Sequence, residues 1–178
     1  MRILVVSDTH GHLEEVQHVV EHLGDVDLIL HAGDHYRDTD DLAYYHEIPA
    51  RGVMGNCDFP GDGPLEDILD VAGYRIFITH GHRYGVHRNT DRLMQRAKEL
   101  NAQIIIYGHT HIPDHRVEEN ILILNPGSLV KPRGGSKPSF GLIDINADHV
   151  EAHIFTLDYH YPERLASKRM QSRTKTRP

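Results

Sequence analysis

The chain has 178 residues, 39% hydrophobic and 25% charged, with a formal net charge of −7 and no tryptophan. This is an ordinary globular profile, long enough for one domain with a sizeable core, and it excludes a disordered body. The single cysteine, Cys57, excludes an internal disulfide, and the apolar opening Ile3 to Val6 is too short for a secretory signal or a membrane span, so a cytoplasmic location is expected.

In chain order, RILVVS and DLILHAG read as short buried strands. Between them Leu13, Val16, Val20 and Leu23 recur at helical spacing and Gly24 closes the run, giving a strand, helix, strand opening. DTDDLAYYHEI predicts a second helix, beginning at Asp38, and ARGVMG a third strand. YRIFITHG predicts a further buried strand, TDRLMQRAKELNA a third helix and QIIIYGHT the next strand. From Asp114 the helical period disappears, and HRVEENILILNPGS and SFGLIDINADHVEAHIFTL read as antiparallel hairpins with Asn, Gly and Asp at the turns. Parallel strands come first and antiparallel hairpins last. The fold class expected is α/β, with two packed sheets flanked by helices, because buried parallel strands need cover on both faces.

Residues 1–162 read as one domain. The remainder, 163–178, holds six Lys or Arg against one Glu, a charge of +5 that leaves −12 on residues 1–162 against −7 for the whole chain. A basic extension can grip nucleic acid, but a solvated, disordered terminus is the plainer expectation. The acidic body argues against a broad phosphate-backbone footprint.

The chemistry sits where strands end. Asp8 and His10 follow the first strand, Asp34 the second, Asn56 the third, His80 the next, and His109 with His111 the last of the parallel series. In open α/β sheets the carboxyl ends of strands converge on one crevice, which brings these seven side chains together. Each alone is weak evidence: Asp8 can cap a helix starting near His12, Asn56 can serve a turn, and paired histidines can be surface residues. Their combination points to metal. The 16 histidines supply abundant ligands, and two residues apart on an extended chain span about 6 to 7 Å, so His109 and His111 address two ions and not one.

The ordered set D-x-H, G-D, G-N, H and G-H-x-H, spanning residues 8 to 111, resembles the calcineurin-like metallophosphoesterase superfamily, and the length resembles its small single-domain phosphodiesterases. The resemblance implies a β-sandwich flanked by helices. It also implies that Asp8, His10 and His111 hold one metal, that Asn56, His80 and His109 hold the other, and that Asp34 bridges the two. The expected cofactors are two divalent ions per chain, manganese first, with iron, zinc and nickel compatible with the same donors. The expected activity is a phosphodiesterase or phosphatase acting on a small phosphodiester or phosphomonoester. A hydroxide shared by the two ions is the expected nucleophile, with His10, Asp34 and His82 as the catalytic side chains. No membrane partner is expected and nucleic acid is disfavoured; a homo-oligomer is compatible with the sequence. The competing readings are an interaction scaffold like the retromer subunit that shares the fold, and a nuclease using the basic tail.

One position departs from the pattern. Many members carry G-N-H-D or G-N-H-E, whose histidine contacts the phosphate and assists the leaving group. Here that position is Cys57, in GNCD, and the small phosphodiesterase subgroup also lacks histidine there. A thiol is shorter in reach than an imidazole and is a poor substitute acid. A nucleophile with a depressed pKa and an extra soft metal ligand are the other chemical roles, and a small buried filler is the expected state. His82 is expected beside the phosphate, His35 and Asp58 are candidates for orienting ligands, and Ser128 is a candidate for facing the crevice.

Overall fold

The first strand, β1 (Arg2–Val6), is RILVV, apolar on both faces, and it lies between two layers. Ile3 and Val5 point into one apolar cluster and Leu4 and Val6 into another, as the two-residue period of a strand requires. A helix α1 (Glu14–Leu23) follows, then β2 (Leu28–His31), α2 (Arg37–His46), β3 (Ala50–Gly52), β4 (Glu66–Val71) and β5 (Tyr74–Thr79). A short 3₁₀ turn at His82–Tyr84 leads to α3 (Asp91–Glu99), β6 (Ile104–Ile106), β7 (Asp114–Glu118), β8 (Ile121–Asn125), β9 (Ser139–Ile145) and β10 (Val150–Thr156). This computed structural model describes residues 1–157. The domain end expected at 162 and the basic segment 163–178 lie outside the described residues.

Two five-stranded sheets result, ordered β10-β9-β1-β2-β3 and β4-β5-β6-β8-β7. Ile3, Val5, Leu30, Ile76, Ile78, Ile104, Ile106 and Leu124 fill the space between them. On the outer face of the first sheet, Leu4, Val6, Ile29 and Phe140 pack against Val16, Val19 and Leu23 of α1 and Leu42 of α2. On the outer face of the second, Phe77, Ile105 and Ile123 pack against Leu93, Met94 and Ala97 of α3. The expected two-sheet α/β sandwich flanked by helices is therefore present, with layers in the order helix, sheet, sheet, helix. Each fully buried Leu or Ile in these clusters stabilises the fold by roughly 1.5–3 kcal/mol through burial.

The elements differ from expectation in three places. Strand β4 has no counterpart in the sequence reading; it is an edge strand, EDILDV, in which only Leu69 is buried. β8 pairs antiparallel with β7 but also parallel with β6, so the first C-terminal hairpin completes the second sheet. α1 begins at Glu14, without a side-chain cap, so Asp8 is free of any capping role.

Parallel strands β1, β2 and β3 share one direction in the first sheet, and β5, β6 and β8 share one in the second. The loops after β1, β2, β3, β5 and β6 meet over one end of the sandwich. Among the described residues no helix is long and apolar enough to cross a membrane.

Candidate metal centre

Asp8, His10, Asp34 and His111 each offer a ligand atom, and these atoms all lie within 4.8 Å of one another. Nε2 of His111 is 3.2 Å from Oδ1 of Asp8, and Nε2 of His10 is 3.8 Å from Oδ2 of Asp34. Of the other expected ligands, His80 approaches the second oxygen of Asp34. Nε2 of His80 lies 3.3 Å from Oδ1 of Asp34 and 3.2 Å from Oδ1 of Asn56, and the rings of His80 and His109 are 5.1 Å apart. The structure thus brings all seven sequence-derived residues together around the Asp8 and Asp34 carboxylates, with Nε2 of His80 also 3.9 Å from Oδ1 of Asp8.

The backbone builds these groups in an unusual way. Asp8, His10, Asp34, His109 and His111 all have positive φ, between 49° and 69°, in the left-handed region that side chains other than glycine avoid. Such residues persist where their surroundings over-determine them, and they concentrate at functional sites. His109 and His111 are therefore not extended, as the spacing argument assumed; the turn itself sends His109 toward His80 and His111 toward His10, whose ring is 5.4 Å away. Glycine makes room for the close approach of the loops. A Cβ on Gly33, at φ +98°, would stand 2.6 Å from Nδ1 of His80, and one on Gly55 would stand 2.0 Å from Oδ1 of Asp34.

Hydrogen bonds fix which imidazole nitrogen faces the centre. His80 donates from Nδ1 to the carbonyl of Ala32 at 2.7 Å and His111 from Nδ1 to that of Lys131 at 2.6 Å, which leaves Nε2 of each as an acceptor toward the centre. Oδ2 of Asp8 accepts from Ser7 Oγ at 2.6 Å and from the His109 N–H at 3.1 Å. Its other oxygen, Oδ1, and Nε2 of His10 are buried with no hydrogen-bond partner among the described residues. A buried carboxylate oxygen and imidazole nitrogen left without donors, 0% exposed in the case of Asp8, are costly unless a cation takes that place. The donor set of carboxylate, amide and imidazole fits divalent metal.

Electrostatics favour neutral rings at His10 and His109 but not at His111, where burial pushes down and the Asp8 carboxylate with the Lys131 carbonyl outweighs it and pushes the ring up. Burial pushes the Asp8 carboxyl up, yet the His111 ring beside it, the field of His80 and the Ser7 hydroxyl together hold it below the usual carboxylate range. Burial and the nearby Lys131 charge push His10 down. Burial, with His80 and His87 beside it, pushes His109 down to about 4. A low imidazole pKa keeps the ring neutral and ready to ligate.

Cys57 departs from expectation. It is exposed, not a buried filler. Partial burial, a hydrogen bond with Asp34 and the fields of Asp34, Asp58 and Asp8 push its thiol up to about 11. The depressed pKa that a nucleophilic role requires is absent. What the residue gives the centre is its N–H, which donates to Oδ1 of Asp34 at 3.0 Å.

Of the remaining sequence candidates, His82 stands 5.4 Å from His80 and 6.0 Å from His109 ring to ring, with Nδ1 buried and without a partner among the described residues. Asp58 accepts from the N–H groups of Gly55, His35 and Tyr36, tying the loop after β3 to the one after β2. Ser128 is buried and donates to the Asp8 carbonyl at 3.0 Å, so it braces the Asp8 turn and does not face the crevice. Sequence reasoning missed His87, whose ring lies 4.5 Å from that of His109, and the buried pair His31 and Asp38. The His of HAGD and the Asp of YRDTD carried no spacing signal that set them apart from a strand end and a helix start.

The calcineurin-like phosphoesterase superfamily domain matches residues 1–148 of this chain. A probable metallophosphoesterase of Bacillus subtilis, YsnB, is 37% identical over 149 residues, covering 83% of this chain and 86% of that protein. Phosphodiesterase YfcE of Escherichia coli is 30% identical over 172 residues, covering 81% and 88%. The crystal structure of a predicted phosphoesterase from Streptococcus pneumoniae superposes with a TM-score of 0.75 at 32% identity, covering 87% of this chain and 88% of that one. Vps29 of Entamoeba histolytica, solved with zinc, superposes at 0.72 over 87% of this chain and 98% of its own; at 21% identity the likeness is one of fold. The chain belongs to the calcineurin-like phosphoesterase superfamily.

Proposed function

We propose that this protein is a phosphodiesterase acting on a small substrate with two divalent ions, manganese foremost, held at Asp34. Asp8, His10 and His111 would hold one ion and Asn56, His80 and His109 the other, with the Asp34 carboxylate within reach of both sets. The observation that carries this reading is the position of Asp34, with Oδ2 3.8 Å from His10 on one side and Oδ1 3.3 Å from His80 on the other. A pair of such ions supplies Lewis acidity toward phosphoryl oxygens and lowers the pKa of water.

The chain's own residues do the rest. Asp34 offsets the mutual repulsion of two cations, and the Cys57 N–H holds its Oδ1 in place. Ala32 and Lys131 carbonyls fix the tautomers of His80 and His111. His82, beside both His80 and His109, is positioned to meet a phosphoryl oxygen. The name of YfcE supports the diesterase assignment. A scaffold role alone gives no reason for burying Asp8 Oδ1 and His10 Nε2 without partners, and the nuclease reading rests on the basic segment outside the described residues.

The test is a panel of nitrophenyl diesters and monoesters assayed with Mn²⁺ and after chelation. The proposal expects hydrolysis of the diester above the monoester, abolished by chelator and restored by metal. Hydrolysis that is indifferent to chelator contradicts it.

A further inference from the structure

The carboxylate of Asp38, 1% exposed at the start of α2, ties the two turns that carry Asp8, His10 and Asp34 to each other. Its Oδ2 accepts from Thr9 Oγ1 at 2.5 Å and from the Gly11 N–H at 3.0 Å, so it grips the chain on both sides of His10. Its Oδ1 accepts from Nδ1 of His35 at 2.6 Å, the residue directly after Asp34. Behind Thr9 stands His31, 0% exposed, whose Nε2 is 2.7 Å from Thr9 Oγ1 and whose Nδ1 accepts from the Gly33 N–H at 3.2 Å.

Hydrogen-bond directions are determined throughout. Gly33 donates to His31 Nδ1, so His31 carries its proton on Nε2 and donates to Thr9. The Thr9 hydroxyl, having accepted, donates to Asp38, and Gly11 and His35 donate to the same carboxylate. The chain of bonds starts one residue before Asp34 and ends one residue after it, passing through both neighbours of His10. No component of it is among the seven candidate ligands.

These turns need holding. Asp8 and His10 sit at φ 57° and 49° and Asp34 at 60°, conformations that cost about 1–3 kcal/mol each and survive only when surrounding contacts impose them. The second group, Asn56, His80 and His109, makes no bond to Asp38. Resting on the two-ion reading above, we propose that Asp38 is a positioning residue that, through Thr9, Gly11 and His35, sets the metal affinity of the His10 side of the centre in preference to the His80 side. Removing an outer partner of a metal ligand typically costs about 10–100-fold in affinity.

The experiment titrates Mn²⁺ into the chelator-treated full-length chain by calorimetry, with the two binding steps assigned through His10→Ala and Asn56→Ala. Asp38→Asn keeps the shape of the side chain but turns one acceptor into a donor facing donors. Thr9→Val removes the central hydroxyl and serves as the second variant if Asp38→Asn does not fold, which circular dichroism shows. The proposal expects about a 10–100-fold weaker step on the His10 side, with the other step, which shares Asp34, weakened markedly less, in either folded variant. Equal weakening of both steps, as general loosening would give, or no weakening, overturns the proposal and leaves the two-ion reading intact. A wild-type chain that binds fewer than two ions removes that reading and the proposal with it, before any variant is compared.

Discussion

The backbone N–H of Cys57 donates to Oδ1 of Asp34 at 3.0 Å, so the lone cysteine serves the centre through its main chain and not through sulfur. Any residue except proline supplies that N–H. In the metal-free chain the Cys57 thiol, pushed up to about 11, is almost wholly protonated at neutral pH. Cys57→Ser and Cys57→Ala are expected to keep turnover within tenfold of wild type, and iodoacetamide at pH 7 to leave activity intact. Because no imidazole occupies this position, rates are expected to fall as leaving-group pKa rises, nitrophenyl diesters reacting far faster than alkyl ones. Cys57→His is expected to raise the poor substrates by up to ~10²-fold, the usual worth of a positioned acid. A hundredfold loss on Cys57→Ser, or a trapped phosphoryl thiol, contradicts this account.

Asp34→Asn keeps an oxygen for the Cys57 N–H but removes the charge that two cations share. Several orders of magnitude in turnover are expected to go, with circular dichroism unchanged. His80→Ala is expected to cost as much activity and also stability, since His80 is fully buried and its Nδ1–H bond to the Ala32 carbonyl is lost. Activity within tenfold of wild type in Asp34→Asn places the hydrolysis elsewhere.

The glycines of the ligand turns are packing constraints as well as turn residues. Gly33→Ala would press a methyl against His80 at 2.6 Å and force φ +98° on an alanine. A loss of at least about 1–3 kcal/mol is expected from urea unfolding, together with weaker metal binding. An unfolding midpoint equal to wild type shows that the His80 ring has room to retreat.

The gathering of the seven candidate residues was legible in the sequence because each lies within about five residues of the end of a strand, and those strand ends share one edge of the sandwich. Strand β4 was not legible: Glu66, Asp67 and Asp70 on a sheet edge look like a loop, since only Leu69 needs burial. Asp38 was hidden for a different reason. An aspartate in the first turn of a helix is what the helix dipole favours anywhere, and its bonds to Thr9, Gly11 and His35 exist only after α2 has docked. The exposure of Cys57 and the left-handed turns at His109 and His111 depend on how the loops meet, which no local pattern encodes.

The metal-free chain is expected to lose stability below pH 6.5, because His10, His31, His82, His109 and His115 are pushed down and only His111 is pushed up among the shifted histidines. His109 falls from 6.5 to about 4 in the fold, with burial the largest cause, and full burial pushes His31 well down too. The unfolded chain therefore binds protons that the folded one excludes. The contribution of these neutral rings is complete above about pH 6.5 and is lost as pH falls toward 4. Urea midpoints of the chelator-treated protein between pH 7.5 and about 4 check this, and His31→Gln is expected to flatten the slope. A midpoint that rises on acidification over that window contradicts it.

The most direct test of the central claim is anomalous scattering from crystals soaked in Mn²⁺ at neutral pH. Two peaks per chain are expected, one beside Asp8, His10 and His111 and one beside Asn56, His80 and His109, with an Asp34 oxygen within coordinating distance of both. A single peak, or two that do not share Asp34, contradicts the account.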